Sequence, residues 1–109
     1  MSILLEKLEQ KIPSWREDVR TLISDSGSSV ISEVSLKQAY GGMRGVKGLV
    51  CDTSSVSEDT GLIIRGIPLL DIIEILPEEV LYLLLTGDLP DKDALSELQS
   101  NLQEHAVVP

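Results

Sequence analysis

The six residues Val80-Leu-Tyr-Leu-Leu-Leu85 are apolar without a break, and they lie between Pro77-Glu-Glu79 and Gly87. Pro77 suits a first helical position, Glu78 and Glu79 fall in the positive first turn, and Gly87 stands where a C′ residue belongs. A helix here advances about 100° per residue, so six successive apolar positions circle it and leave no face for water. Such a helix belongs at the centre of something larger. The run is too short to span a bilayer, and Glu6, Lys7 and Glu9 interrupt any secretory pattern. The sequence therefore predicts a soluble intracellular chain. Its 109 residues allow at most one small domain, which should bury about 60–65% of the surface of the unfolded chain. Trp15, Tyr40 and Tyr82 are the only aromatics and there is no Phe, so Leu, Ile and Val must build the core.

Ahead of that helix the chain divides into a helical arm (1–25), a strand, loop and hairpin region (30–66), and helices (68–106). In the arm, Leu4, Leu5, Leu8, Ile12, Trp15, Val19 and Leu22 recur at steps of three and four, the spacing of one helical stripe. Pro13 and the capping box Ser14–Glu17 predict a break, with one helix to Ile12 and another over 14–24. Val30–Val34 reads as a strand, and a second capping box, Ser35–Gln38, opens one helical turn. Stretches 48–56 and 61–66 read as a β-hairpin joined by Ser57-Glu-Asp-Thr60. Residues 69–76 read as a helix between Pro68 and Pro77. Asp91 is the expected N-cap of a last helix carrying Leu95, Leu98 and Leu102. The chain then stops at Val107-Val-Pro109 with no closing element, which also predicts part of a larger fold.

Chemistry concentrates in Tyr40-Gly-Gly-Met-Arg-Gly-Val-Lys-Gly48. Glycines at 41, 42, 45 and 48 imply a tight turn, and Arg44 and Lys47 set positive charge beside bare backbone N–H groups. That combination suits a phosphate or carboxylate, although a simple helix-to-strand link is the commoner use of such a loop. The spacing matches neither a P-loop nor a dinucleotide fingerprint. A net charge of −9 argues against nucleic acid or an anionic membrane as partner. Cys51 alone allows no internal disulfide, and with His105 alone no metal site is predicted. Cys51 reads as a small apolar strand residue and His105 as a solvated residue at a helix end.

The order of motifs is more specific than any one of them. Ile12-Pro13 is followed by Val34–Tyr40, Gly-Gly-Met-Arg-Gly-Val-Lys-Gly-Leu (41–49), Asp52-Thr-Ser54 and Gly61 to Arg65-Gly66. Then come Ile67-Pro68, Leu76-Pro77 and Leu83-Leu-Leu-Thr-Gly87 with Pro90. Over about residues 10–109 this resembles the N-terminal part of citrate synthase, most closely the branch that includes the mitochondrial enzymes. Asp52 stands where that family has Glu, Ile64 where it has Phe, and Tyr82 where it has Trp. The segment between Leu76 and Val80 is also shorter.

The resemblance implies the N-terminal portion of the citrate synthase fold: mainly α with a small β-hairpin, an incomplete segment of a large domain. The whole enzyme would be a two-domain homodimer that condenses acetyl-CoA with oxaloacetate and hydrolyses citryl-CoA. Coenzyme A would be a substrate, with no tightly bound cofactor. The family's catalytic aspartate and histidines, and the arginines that hold oxaloacetate, lie beyond residue 109, so no catalytic residue is expected here and His105 matches none. Arg44 matches an arginine that helps hold the coenzyme A phosphates, while Lys47 has no assigned role. The alternatives are a methylcitrate synthase, a citryl-CoA lyase, or a stand-alone non-catalytic module that binds a partner protein. A bacterial cytoplasm is the expected location, with the mitochondrial matrix as the alternative.

Overall fold

A computed structural model describes residues 2–107. In chain order they form α1 (Ile3–Ser26), α2 (Leu36–Tyr40), β1 (Ser54–Ser57), β2 (Gly61–Ile64) and β3 (Ile67–Pro68). One 3-10 turn (Leu69–Asp71), α3 (Pro77–Thr86) and α4 (Lys92–Glu104) complete the chain. The architecture is mainly α with a small antiparallel sheet of order β1-β2-β3.

The break predicted at Pro13 is absent, and α1 is continuous with Pro13 inside it. Ser14 is no N-cap: its hydroxyl donates back to the Lys11 carbonyl at 2.9 Å. An internal proline costs about 3 kcal/mol, and the helix is held on both sides of it. Ahead of Pro13, Lys7 and Lys11 pair with Asp88 at 3.0 and 2.6 Å. Lys11 also donates to the Thr86 carbonyl at 2.7 Å. Beyond it, the Arg65 guanidinium lies over the Trp15 ring, 5.6 Å from its centroid. Glu9, whose carbonyl loses its usual donor to the proline, is exposed.

Helix α3 is the hub. Glu79 accepts the Leu76 N–H at its start (2.7 Å), and Gly87 ends it in the left-handed region (φ 79°). Its last carbonyls find donors from three directions: Gly87 N–H to Leu83 (2.7 Å), Arg65 Nε and Nη2 to Leu84 (3.0 and 2.8 Å), and Lys11 to Thr86. These are the groups a helix end otherwise leaves unpaired. Thr86 is fully buried, with its hydroxyl donated to the Tyr82 carbonyl at 2.8 Å. Tyr82 packs with Ala94 and Leu98 of α4 and with Leu4 of α1, which is the core. The helix is central, with α1 and α4 packed on it and Arg65 bonded to its end, yet Leu81 and Leu85 remain 38% and 41% exposed.

The hairpin is shorter than the sequence implied. Pairing runs from Ser57↔Gly61 to Ser54↔Ile64, and residues 48–53 carry no ladder. Gly61 (φ 68°) supplies the left-handed residue that a three-residue loop requires. A second hairpin follows that the sequence reading lacked: Ile64 pairs with Ile67 across Arg65-Gly66, both at positive φ (47° and 83°). Two further expectations fail. Val30–Val34 has no partner strand and is irregular and largely exposed. Residues 69–76 make one 3-10 turn instead of a helix, with Ile72 as their buried anchor. Eight residues between two prolines repay helix nucleation poorly, and Leu76, preceding Pro77, is held extended (ψ 154°).

Candidate functional site

The glycine loop is launched by α2. Both halves of the predicted Ser35–Gln38 capping box are present: the Gln38 N–H donates to the Ser35 hydroxyl (3.2 Å) and the Ser35 N–H to Gln38 Oε1 (3.0 Å). Gly41 and Met43 N–H groups then close on the Lys37 and Gln38 carbonyls at 2.9 and 2.7 Å. The chain turns back on itself through Gly42 (φ 74°), Met43 (φ 60°) and Gly45 (φ 78°), with Val46 N–H donated to Met43 at 3.1 Å. Met43 carries a side chain in a region that favours glycine, so the turn holds strain of about 1 kcal/mol.

This fold brings Arg44 back beside α2. Lys37, Gln38, Gly41 and Arg44 line an open groove of about 360 Å³. Both cations are exposed, and among the described residues neither pairs with a carboxylate. An anion entering the groove meets two positive charges and a carboxamide. A guanidinium can grip phosphate oxygens bidentately, and an ammonium adds a mobile point charge.

Of the two cations in the loop, Arg44, the one expected to contact phosphate, lines the groove, with Lys37 beside it; Lys47, to which no role was assigned, does not line it. Lys47 is exposed, and its backbone N–H lies 3.4 Å from Ser32 Oγ as donor. Lys37 escaped notice because it lies in another element, seven positions before Arg44. The available signal was its place in the last turn of a helix that opens directly into the loop.

Cys51 corrects its expected setting. It is exposed and outside any strand. The Thr53 hydroxyl, 3.2 Å from Sγ, and the Ser54 and Thr53 backbone N–H groups lower its thiol pKa to about 7. His105 caps the end of α4 and is exposed, with Nδ1 2.8 Å from the Asn101 carbonyl oxygen. Among the described residues no cluster of three or more His, Cys, Asp or Glu could hold a metal ion, and no helix is long and apolar enough to cross a membrane.

The family described as "Citrate synthase, C-terminal domain" matches residues 42–109, a stretch beginning inside the glycine loop. The chain is 35% identical to the mitochondrial citrate synthase of Saccharomyces cerevisiae over 97% of its own length. It is 36% identical to the mitochondrial 2-methylcitrate synthase of Yarrowia lipolytica over the same share. The mitochondrial citrate synthase of Citrus maxima is 32% identical. The chain spans about a quarter of the length of these relatives (24%, 25% and 25%).

Proposed function

Because the chain belongs to the citrate synthase family, we propose that it is a segment of an enzyme that condenses acetyl-CoA with oxaloacetate to give citrate and coenzyme A. Within that enzyme its part is structural, with one substrate contact: Arg44 meets a phosphate of coenzyme A. The observation that carries this is the exposed guanidinium of Arg44, presented on a turn of left-handed residues with no carboxylate paired to it among the described residues. The segment itself is inert, since no described pair of side chains offers an acid and a base to an acetyl group. The base, the groups polarising the carbonyls and the oxaloacetate clamp belong to the rest of the enzyme, and coenzyme A acts as substrate, not as a resident cofactor. The parent works as a homodimer of two-domain subunits, this segment forming the N-terminal part of the large domain.

The test is Arg44→Ala in the full-length protein. The apparent KM for acetyl-CoA should rise about tenfold, the scale of one charge-assisted hydrogen bond, and the KM for oxaloacetate should move much less. An unchanged acetyl-CoA KM would remove the phosphate role.

The near-equal identities to a citrate synthase and a 2-methylcitrate synthase favour a second reading, with an acyl-CoA one carbon longer as co-substrate. Comparing kcat/KM for the two thioesters decides between them. A stand-alone binding module is the third reading. It would require a stop codon directly after the codon for Pro109 in the natural reading frame. The mitochondrial relatives support the mitochondrial matrix over the bacterial cytoplasm for the parent enzyme.

A further inference from the structure

Lys37 is a cation that the motif around Arg44 does not contain, and folding brings it to the same groove. Resting on the reading of Arg44 as a phosphate contact, we infer that Lys37 and Gln38 complete a two-cation subsite that takes a doubly charged phosphate of the coenzyme.

Three observations carry this. The groove of about 360 Å³ is lined by Lys37, Gln38, Gly41 and Arg44 and by no acidic residue. The lining is thus wholly neutral or positive in a chain whose net charge is −9. Lys7, Lys11, Arg20 and Arg65 all have carboxylate partners within 4 Å, whereas Lys37 and Arg44 have none among the described residues. Finally, Gln38 is oriented for donation. Its Oε1 is occupied by the Ser35 N–H and hydroxyl at 3.0 and 2.9 Å, which leaves its NH2 as the end available to an anion. Two nearby acceptors are already used, because the Lys37 and Gln38 carbonyls receive Gly41 and Met43 N–H groups.

One guanidinium offsets one negative charge. A second cation across the groove suits a phosphate monoester dianion or the two charges of a pyrophosphate, and coenzyme A carries both groups. The ammonium is exposed, so the attraction is screened by salt over about 10 Å at 0.1 M.

The experiment measures KM for acetyl-CoA in the full-length protein with Lys37→Ala, Lys37→Arg and Arg44→Ala, at low and at high ionic strength. Lys37→Ala should raise KM about three- to tenfold at low salt, and the penalty should shrink at high salt. Lys37→Arg should restore the parent value. A helix-packing role would show no such salt dependence, and far-UV circular dichroism should be unaltered because Lys37 is exposed and Ala favours helix. Repeating the series with the 3′-dephospho thioester separates the sources. A Lys37→Ala penalty lost with that substrate assigns the monoester, and one retained assigns the pyrophosphate. If Arg44→Ala raises KM while Lys37→Ala stays within twofold of the parent, the inference is overturned and the role of Arg44 survives. If both variants match the parent, the phosphate reading fails and this subsite with it.

Discussion

The Cys51 thiol shows how far a few hydrogen bonds can change one side chain. An isolated cysteine titrates near 8.5, but here the Thr53 hydroxyl and the Ser54 and Thr53 N–H groups favour the thiolate and bring its pKa to about 7. Its alkylation rate by iodoacetamide should therefore rise with pH to a midpoint near 7. Thr53→Val should move that midpoint up towards 8.5, and an unshifted midpoint would remove the hydroxyl's role. The sequence reading gave Cys51 no such setting, because it took the residue as an apolar strand position and not as an exposed thiol beside a hydroxyl. Local signals that act within four residues were legible: Ser35–Gln38, Gly87 and Asp91 all do what their types predict. The tight turn around Arg44 was legible for the same reason, since the glycines at positive φ are its immediate neighbours. The placing of Lys37 in the same groove was not, because it depends on the path of the turn.

At the scale of elements, long-range contact overrode a local rule at Pro13. Pro13 is a sound stop signal, but residues on both sides of it are tied to partners far along the chain. Asp88 is the anchor of that tie, and its pH dependence follows from two shifts. Hydrogen bonds from Lys11 and Lys7 hold the Asp88 carboxyl below its ordinary value, so its contribution is complete above about pH 4 and disappears as pH falls through the lowered native value. Asp88 in turn raises Lys7, whose contribution is complete below 10.5 and disappears as pH rises through its raised native value. In the full-length protein, Asp88→Asn should lower the urea midpoint at pH 7. The gap from the parent should close as pH falls below the native Asp88 pKa, and a gap that persists there would contradict the tie. Val30–Val34 and residues 69–76 failed in the opposite direction: they have the composition of a strand and a helix, but no neighbour among the described residues supports either.

For the whole molecule, size and surface disagree with self-sufficiency. A compact chain of this length has a radius of gyration of about 13 Å, against 18.4 Å here. Its accessible surface is 8910 Å², where about 6,000 Å² is usual for this mass. Folding thus buries about half of the unfolded surface, less than the 60–65% expected from length alone. Val30, Ile31, Leu36, Leu49, Val50 and Leu70 are all largely exposed apolar residues. Expressed alone, the chain should run larger than its 11.9 kDa monomer on gel filtration and bind a hydrophobic dye. A sharply cooperative thermal transition of a monomer would refute this. The arrangement also sets an order of folding. The α3–α4 pair and the two hairpins join near neighbours, whereas the Lys11–Asp88 pair closes a loop across 77 positions, so α1 should dock last. Trp15, the one tryptophan in these 109 residues, sits on that helix with Arg65 and Lys11 against its ring. In the 109-residue chain its fluorescence should therefore time the final step of assembly without a label, and a Trp15 signal complete before the hairpins form would contradict that order.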